Sequence, residues 1–317
     1  MGRRVAAVDC GTNSLRLLLA DVDPDRNELV DVDRRMEIVR LGQGVDRTGQ
    51  LAPEALARTM AVLRDYAAEI AGSGAEAVRM AATSATRDAA NAADFVHQVK
   101  DVLGVAPEVL TGDQEAMLSF TGATAELDPR RTPGPFLVTD IGGGSTEFVL
   151  GPAGLSGPPA AEISVNIGCV RLTERHLHHD PPTAAEIAAA TADIDGALET
   201  VSMAVPAQQA ATLVGLAGSV TTVAAIALGL DAYDPSRIHH ARVPAAVVHA
   251  VTTHLLAQTR AARAAIGVMH PGRVDVIGGG ALVLDRIMTR FGFTEVLASE
   301  HDILDGMAWS LARDPRA

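Results

Sequence analysis

Aromatic side chains are scarce: six Phe, two Tyr and one Trp make up 3% of 317 residues. So few rings exclude an extended stacking platform for single-stranded nucleic acid. Positive charge is outweighed as well. The formal net charge of −13 excludes bulk attraction to nucleic acid or to an anionic membrane surface. A polyanionic ligand then needs a local basic site working against the global field. Lysine is nearly absent and most of the positive charge is Arg, which suits bidentate phosphate contacts. The two cysteines, Cys10 and Cys169, have no CxxC partner and no metal-ligand spacing. They read as free thiols of a reducing, cytoplasmic compartment rather than as a disulfide. Met1-Gly2-Arg3-Arg4-Val5 enters a strand-like run without the long apolar core of a signal peptide. The charge-free run from Leu213 to Leu230 is broken by Gly215, Gly218, Ser219, Thr221, Thr222 and Gly229. It reads as a buried strand, a tight turn and a buried helix, not as a membrane span. The histidines show no HExxH or similar spacing, so no transition-metal site is expected. His176, His178 and His179 are expected toward solvent, and His239-His240 in a loop.

The length suits two domains and the 48% hydrophobic content supplies their cores. Strands are expected at Val5–Ala20, Glu28–Val39, Ala77–Ala82, Glu108–Leu110, Phe136–Asp140, Thr146–Leu150, Ala161–Val165, Leu213–Leu216 and Glu295–Leu297. Helices are expected at Pro53–Ala71 and Asp88–Leu103, and from Thr111 to about Glu126. Thr183–Ala204 should open with a capping box through Glu186. Further helices are expected after Gly218, from Pro244, from Pro271 and from Ile303. Asp23–Asn27 and Ser156-Gly157-Pro158-Pro159 read as hairpin turns, and Asp128–Pro135 as the linker. Strands alternating with helices after each hairpin make the class α/β with mixed sheets.

Two segments match. Val8-Asp9-Cys10-Gly11-Thr12-Asn13-Ser14-Leu15-Arg16 aligns with Thr139-Asp140-Ile141-Gly142-Gly143-Gly144-Ser145-Thr146-Glu147. In each, an apolar run reaches an acid, turns through small residues to a Ser, and enters a second apolar run. Such turns let backbone N–H groups converge on an anion, and glycine permits close approach. Thr12, Ser14, Ser145 and Thr146 add hydroxyl donors. Asp9 and Asp140 beside a phosphate suit Mg²⁺, which bridges like charges. One such motif alone is equally a plain hairpin; two copies imply a duplicated fold. Gly218 and Ser219 offer a helix N-terminus, an anion site or ordinary tight packing. Val276-Ile277-Gly278-Gly279-Gly280 reads as an apolar strand leading into a helix. Arg87 falls near a strand's carboxyl end, as a phosphate clamp or as a partner of Asp88. Glu115, in a first helical turn, is by itself most simply a dipole partner.

The constellation resembles the exopolyphosphatase / guanosine pentaphosphate phosphohydrolase (Ppx/GppA) family, in its short two-domain form, within the actin, Hsp70 and sugar-kinase superfamily. The segments VAAVDCGTNSLRLLLADV, LGQGVDRTGQLAPEALART, MAATSATRDAANAADFV, LTGDQEAMLSFTGA, LVTDIGGGSTEFVLG, NIGCVRLTERHL, GLAGSVTTVAAIALGL, VDVIGGGALVLDRIM and ASEHDILDGMA carry it in order. The resemblance implies two ribonuclease-H-like lobes, residues 1–127 and 128–302, with the active site in the cleft and the helix 303–317 completing the first lobe. It implies Glu115 as general base and Arg87 as a phosphate-contacting residue. Asp140 and Glu147 fall on the acidic positions for Mg²⁺ (or Mn²⁺) and the attacking water, so that Glu147 counts as catalytic too, and Asp9 is a further metal ligand, with a monovalent cation such as K⁺ also possible. Gly11, Thr12, Asn13, Ser14, Arg16, Gly142–Gly144, Ser145, Thr146, Gly218 and Ser219 would hold phosphate. The implied reaction is hydrolysis of the terminal phosphoanhydride of inorganic polyphosphate, short chains first, by a cytoplasmic homodimer. Alternatives are guanosine pentaphosphate, the alarmone of the stringent response, as substrate, and a non-catalytic sensor of either anion. A kinase of the same superfamily is a further one, for which Gly278–Gly280 resembles the adenosine segment. Longer relatives add a helical C-terminal region, so long-chain processivity is not expected here. Many relatives close with SDxGLREG; here Asp302 stands in place of Gly and Leu304 in place of Arg.

Overall fold

The computed structural model describes residues 2–128, 130–152 and 159–313. The turn expected at 156–158 lies outside them. The chain divides into two compact units, Met1–Glu126 with Asp302–Ala317, and Leu127–His301.

The first unit holds β1 (Arg3–Cys10), β2 (Ser14–Asp23), β3 (Glu28–Ile38), β4 (Ala77–Ala82) and β5 (Glu108–Val109), in the order β3-β2-β1-β4-β5. β1 runs antiparallel to β2 and parallel to β4. β1 is apolar on both faces because both faces are covered. Ala6, Val8 and Cys10, with Leu15, Leu17 and Leu19, meet helices Pro53–Ser73 and Ala92–Leu103. Val5 and Ala7, with Leu18, Ala20 and Val22, meet helix Ile303–Arg313 through Ile303, Met307 and Trp309.

The second unit holds β6 (Phe136–Ile141), β7 (Thr146–Gly151), β8 (Ala161–Val165), β9 (Thr212–Leu216), β10 (Arg242–Pro244) and β11 (Glu295–Ala298), in the order β10-β11-β9-β6-β7-β8. Without the edge strand β10, this repeats the first sheet: third, second, first, fourth, fifth. The strand senses repeat too, antiparallel in the hairpins and parallel beyond them. The duplicated α/β fold therefore extends well past the two hairpins.

Four expectations need correction. The helix expected from Asp88 to Leu103 starts only at Ala92, and a separate short helical turn, Ser84–Arg87, precedes it. Asn91 separates them because its amide is committed elsewhere. It accepts from Leu51 N–H at 2.8 Å and donates to Leu51 O at 3.0 Å. From Pro271 there is only a 3₁₀ turn, Pro271–Arg273, and no strand precedes the glycines. Gly278–Gly280 instead lie in the first turn of helix Ile277–Phe291. There the glycines allow close packing: a Cβ on Gly280 would stand 2.1 Å from Ser219 Oγ, and one on Gly279 3.0 Å from Cys169 O. His176 is half-buried, with Nε2 2.9 Å from Asp193 Oδ2, because Asp193 faces it from the next helix. The Thr183–Glu186 capping box forms, and Cys10 and Cys169 are buried free thiols. Among the described residues no helix is long and apolar enough to cross a membrane.

Candidate active site

Both hairpins turn the same way. Gly11 N–H donates to Ser14 O at 3.0 Å, and Gly142 N–H to Ser145 O at 3.1 Å. The loop carbonyls are then consumed from one side. In the second unit Cys169 N–H binds Gly142 O, and Val170 and Arg171 N–H bind Gly143 O, all within 3.1 Å. Arg171 Nε donates to Gly144 O at 2.7 Å. A trans peptide points its N–H opposite its C=O, so the amides of Gly143, Gly144 and Ser145 face away from helix Cys169–His176. Amides converging in this way can form an anion nest. Gly168 makes the approach possible, because a Cβ there would lie 2.4 Å from Gly143 C and O. In the first unit Gly42 N–H binds Thr12 O at 2.8 Å, and Val39 and Arg40 N–H bind Asn13 O at 3.0 and 2.9 Å. The amides of Asn13 and Ser14 are turned outward by the same argument.

The rung just before each turn differs. Asp9 pairs with Arg16 across β1–β2, and Asp140 with Glu147 across β6–β7. The first rung is an ion pair, with Arg16 Nη2 2.6 Å from Asp9 Oδ2. The second sets two acids opposite each other, 7% and 2% exposed. Like charges directly opposite on a sheet are destabilising, and hard oxygen donors so placed suit a hard divalent cation. Ser164, opposite Glu147 on β8, donates to Glu147 Oε1 at 2.7 Å. Asp9 is 2% exposed, and its Oδ1 has no hydrogen-bond partner among the described residues. Burial raises the Asp9 carboxyl above its ordinary pKa, against the pull of Arg16.

Arg87 and Glu115 meet. Arg87 Nη1 donates to Leu110 O at 2.7 Å and to Glu115 Oε2 at 3.2 Å. Glu115 is 9% exposed, in the first turn of helix Gly112–Thr124, whose start is fixed by a Thr111–Gln114 capping box. The pair is tied to the first hairpin. Thr83 N–H binds Cys10 O at 3.1 Å, and the Thr12 and Ser84 hydroxyls are 2.8 Å apart. These groups gather where the parallel strands β1, β4 and β5 end, the edge at which open α/β sheets bind ligands. In the second unit Gly218 and Ser219 lie in the first turn of helix Ala217–Ala227, where β9 ends. Ala217 adopts φ +65°, and a Cβ on Gly218 would be 2.4 Å from the Arg273 guanidinium.

The Ppx/GppA phosphatase family model matches residues 20–314. The chain belongs to this family. It is 52% identical over 98% of both chains to exopolyphosphatase 2 of Mycobacterium tuberculosis. It is 32% identical to a bifunctional 3-dehydroquinate synthase/phosphatase of Fusobacterium nucleatum, over 95% of this chain and 45% of that one. Among solved structures, an exopolyphosphatase-like protein superposes with TM-score 0.92 at 42% identity, over 98% of this chain and 99% of that one. The Aquifex aeolicus Ppx/GppA family member does so with TM-score 0.82 at 28% identity over the full length of both.

Two of the expected phosphate contacts of this Ppx/GppA chain are otherwise engaged. Thr146 donates its hydroxyl hydrogen to Ile167 O. Arg16 spends its guanidinium on carboxylates, Asp9 and Asp302. Four residues go unnoticed in the sequence: Ser84, Ser164, Arg171 and Arg273. Ser164 had a signal, the polar position opposite Glu147. Arg171 is conspicuous only once the loop carbonyls are seen to need a donor.

Proposed function

We propose that this protein is an exopolyphosphatase, releasing orthophosphate from the end of inorganic polyphosphate, preferentially short chains. The observation that carries the reading is the pair of outward-turned amide loops, each beside a buried acid. The identity to an exopolyphosphatase across both whole chains supports it. The amides of Gly143, Gly144 and Ser145, and those of Asn13 and Ser14, would hold phosphate oxygens. Asp140 with Glu147 in the second unit, and separately Asp9 Oδ1 in the first, fit Mg²⁺ or Mn²⁺, which would supply neutralising charge when bound. Ser164 would fix the Glu147 carboxylate.

Glu115 takes a proton from the attacking water. The water oxygen bonds to the terminal phosphorus as the bridging P–O bond breaks. Orthophosphate and a chain shorter by one phosphate leave. Arg87 keeps the Glu115 carboxylate in place. Such a transfer depends mainly on positioning and charge stabilisation. Glu115→Gln should lower phosphate release from short polyphosphate by about 10²- to 10⁴-fold, the usual scale for acid–base groups. Unchanged turnover in a folded variant would remove Glu115 from this role.

Guanosine pentaphosphate is the second substrate to assay. A guanosine-5′-triphosphate,3′-diphosphate pyrophosphatase of Photobacterium profundum is 32% identical over 71% of this chain. Release measured side by side ranks the two. A homodimer belongs to the same reading, and light scattering reads it directly.

A further inference from the structure

Arg16 is held in an unusual way. Its Nε and Nη2 both reach one oxygen of Asp9, Oδ2, at 3.0 and 2.6 Å. Its Nη1 reaches Oδ2 of Asp302. An arginine fork normally engages both oxygens of a carboxylate. Here it is drawn aside, and the buried Asp9 Oδ1 keeps no hydrogen-bond partner among the described residues. Two acids against one guanidinium also leave a buried excess of negative charge beside the Gly11–Ser14 turn.

Asp302 is itself firmly placed. Its Oδ1 accepts Leu304 N–H at 3.0 Å, and its own N–H donates to Asp305 Oδ2 at 2.7 Å. Asp305 is buried and bound by Arg34 Nη2 at 2.5 Å, and Arg34 Nε by Asp31 at 2.7 Å. The first unit thus contains a chain of alternating charge: Asp9, Arg16, Asp302, then Asp305, Arg34, Asp31.

We propose that Asp302 is a positioning residue: it draws Arg16 off Asp9 Oδ1 and keeps that oxygen open for a divalent cation. This rests on the reading of Asp9 as a cation ligand. Without the Asp302 carboxylate, Arg16 is free to close its fork over both Asp9 oxygens. The expected size is that of other groups that orient a metal ligand from behind, about 10- to 100-fold in metal affinity.

The test is Mn²⁺ binding to the full-length protein, followed by electron paramagnetic resonance without substrate. Asp9→Asn should remove one Mn²⁺ site. Asp302→Asn, which keeps the shape and the Leu304 contact, and Asp302→Gly should each weaken that site by about 10- to 100-fold. The Mn²⁺ needed for half-maximal phosphate release should rise in step, with KM for short polyphosphate at saturating Mn²⁺ unchanged. Wild-type Mn²⁺ affinity in a folded Asp302 variant, with the site lost in Asp9→Asn, overturns the positioning role alone. Wild-type binding in Asp9→Asn overturns the cation reading of Asp9, and the proposal with it.

Discussion

Asp9 and Asp140 occupy the same place in two copies of one hairpin, and the residue across the strand separates their chemistry. Arg16 neutralises Asp9 from one side; Glu147 doubles the charge at Asp140. The acids and turn residues were legible in the sequence because they lie within nine residues of each other. That Arg16 is already engaged was not legible, since Asp302 is 286 positions away. Arg87 and Glu115 lie 28 apart and meet only through β4 and β5. Short-range capping was fully readable, and it yields a pH prediction. Glu186 accepts from His179 Nδ1 and from Thr183 N–H, both at 2.8 Å. These bonds, His179 first, hold its carboxyl down at about 2. A lowered folded pKa gives stability that is complete above the unfolded value of 4.5 and is lost as pH falls through about 2. Glu186→Gln should therefore lower the denaturation midpoint at pH 7, with the gap to wild type narrowing below pH 4.5. A gap of constant size from pH 7 to pH 3 would contradict this.

Among the elements, the helix carrying Glu115 depends on one close crossing. Helices Gly112–Thr124 and Ile303–Arg313 meet backbone to backbone at two glycines. A Cβ on Gly122 would stand 1.8 Å from Asp302 O, and one on Gly306 2.0 Å from Leu118 O. Neither neighbour is a flexible side chain, so only a shift of a whole helix relieves the clash. Gly122→Ala should cost about 1–3 kcal/mol or more in denaturant unfolding, and should disturb Asp302 and Glu115 with it. Gly196, inside helix Ala184–Ala204, has nothing within 4 Å of an added Cβ. Gly196→Ala should stabilise by roughly 0.5–1 kcal/mol through the better helix propensity. Equal effects in the two variants would mean that propensity, not the crossing, governs Gly122. The same logic explains the strand wrongly expected before Gly278. Its β-branched apolar run is locally strand-like, but the glycines that follow serve close helix packing against Ser219 and Cys169 instead of a turn after a strand.

For the whole molecule, the duplicated hairpin foreshadowed two equivalent sheets, and the shared strand order extends the duplication to five strands in each. Each unit then needs its own covered sheet. In the second, the core lies wholly within residues 137–298. In the first, one sheet face is closed by residues that return from the far end of the chain. Ile303, Leu304, Met307, Ala308, Trp309 and Leu311 cover Val5, Ala7, Leu18, Ala20 and Val22. Fully burying one large apolar side chain is worth about 1.5–3 kcal/mol, and a domain's net stability is only about 5–15 kcal/mol. Losing five such residues and Ala308, while exposing the strand face beneath them, removes as much as a domain of this size has in hand. Residues 127–301 expressed alone should therefore fold and melt cooperatively by circular dichroism. Residues 1–126 alone should show no cooperative melt and should be cut rapidly by chymotrypsin. Joining 302–317 to the end of 1–126 through a flexible linker should restore both the melt and a buried Trp309 emission. A cooperative melt of 1–126 without that segment would show that helices Pro53–Ser73 and Ala92–Leu103, on the opposite face, suffice to hold the sheet.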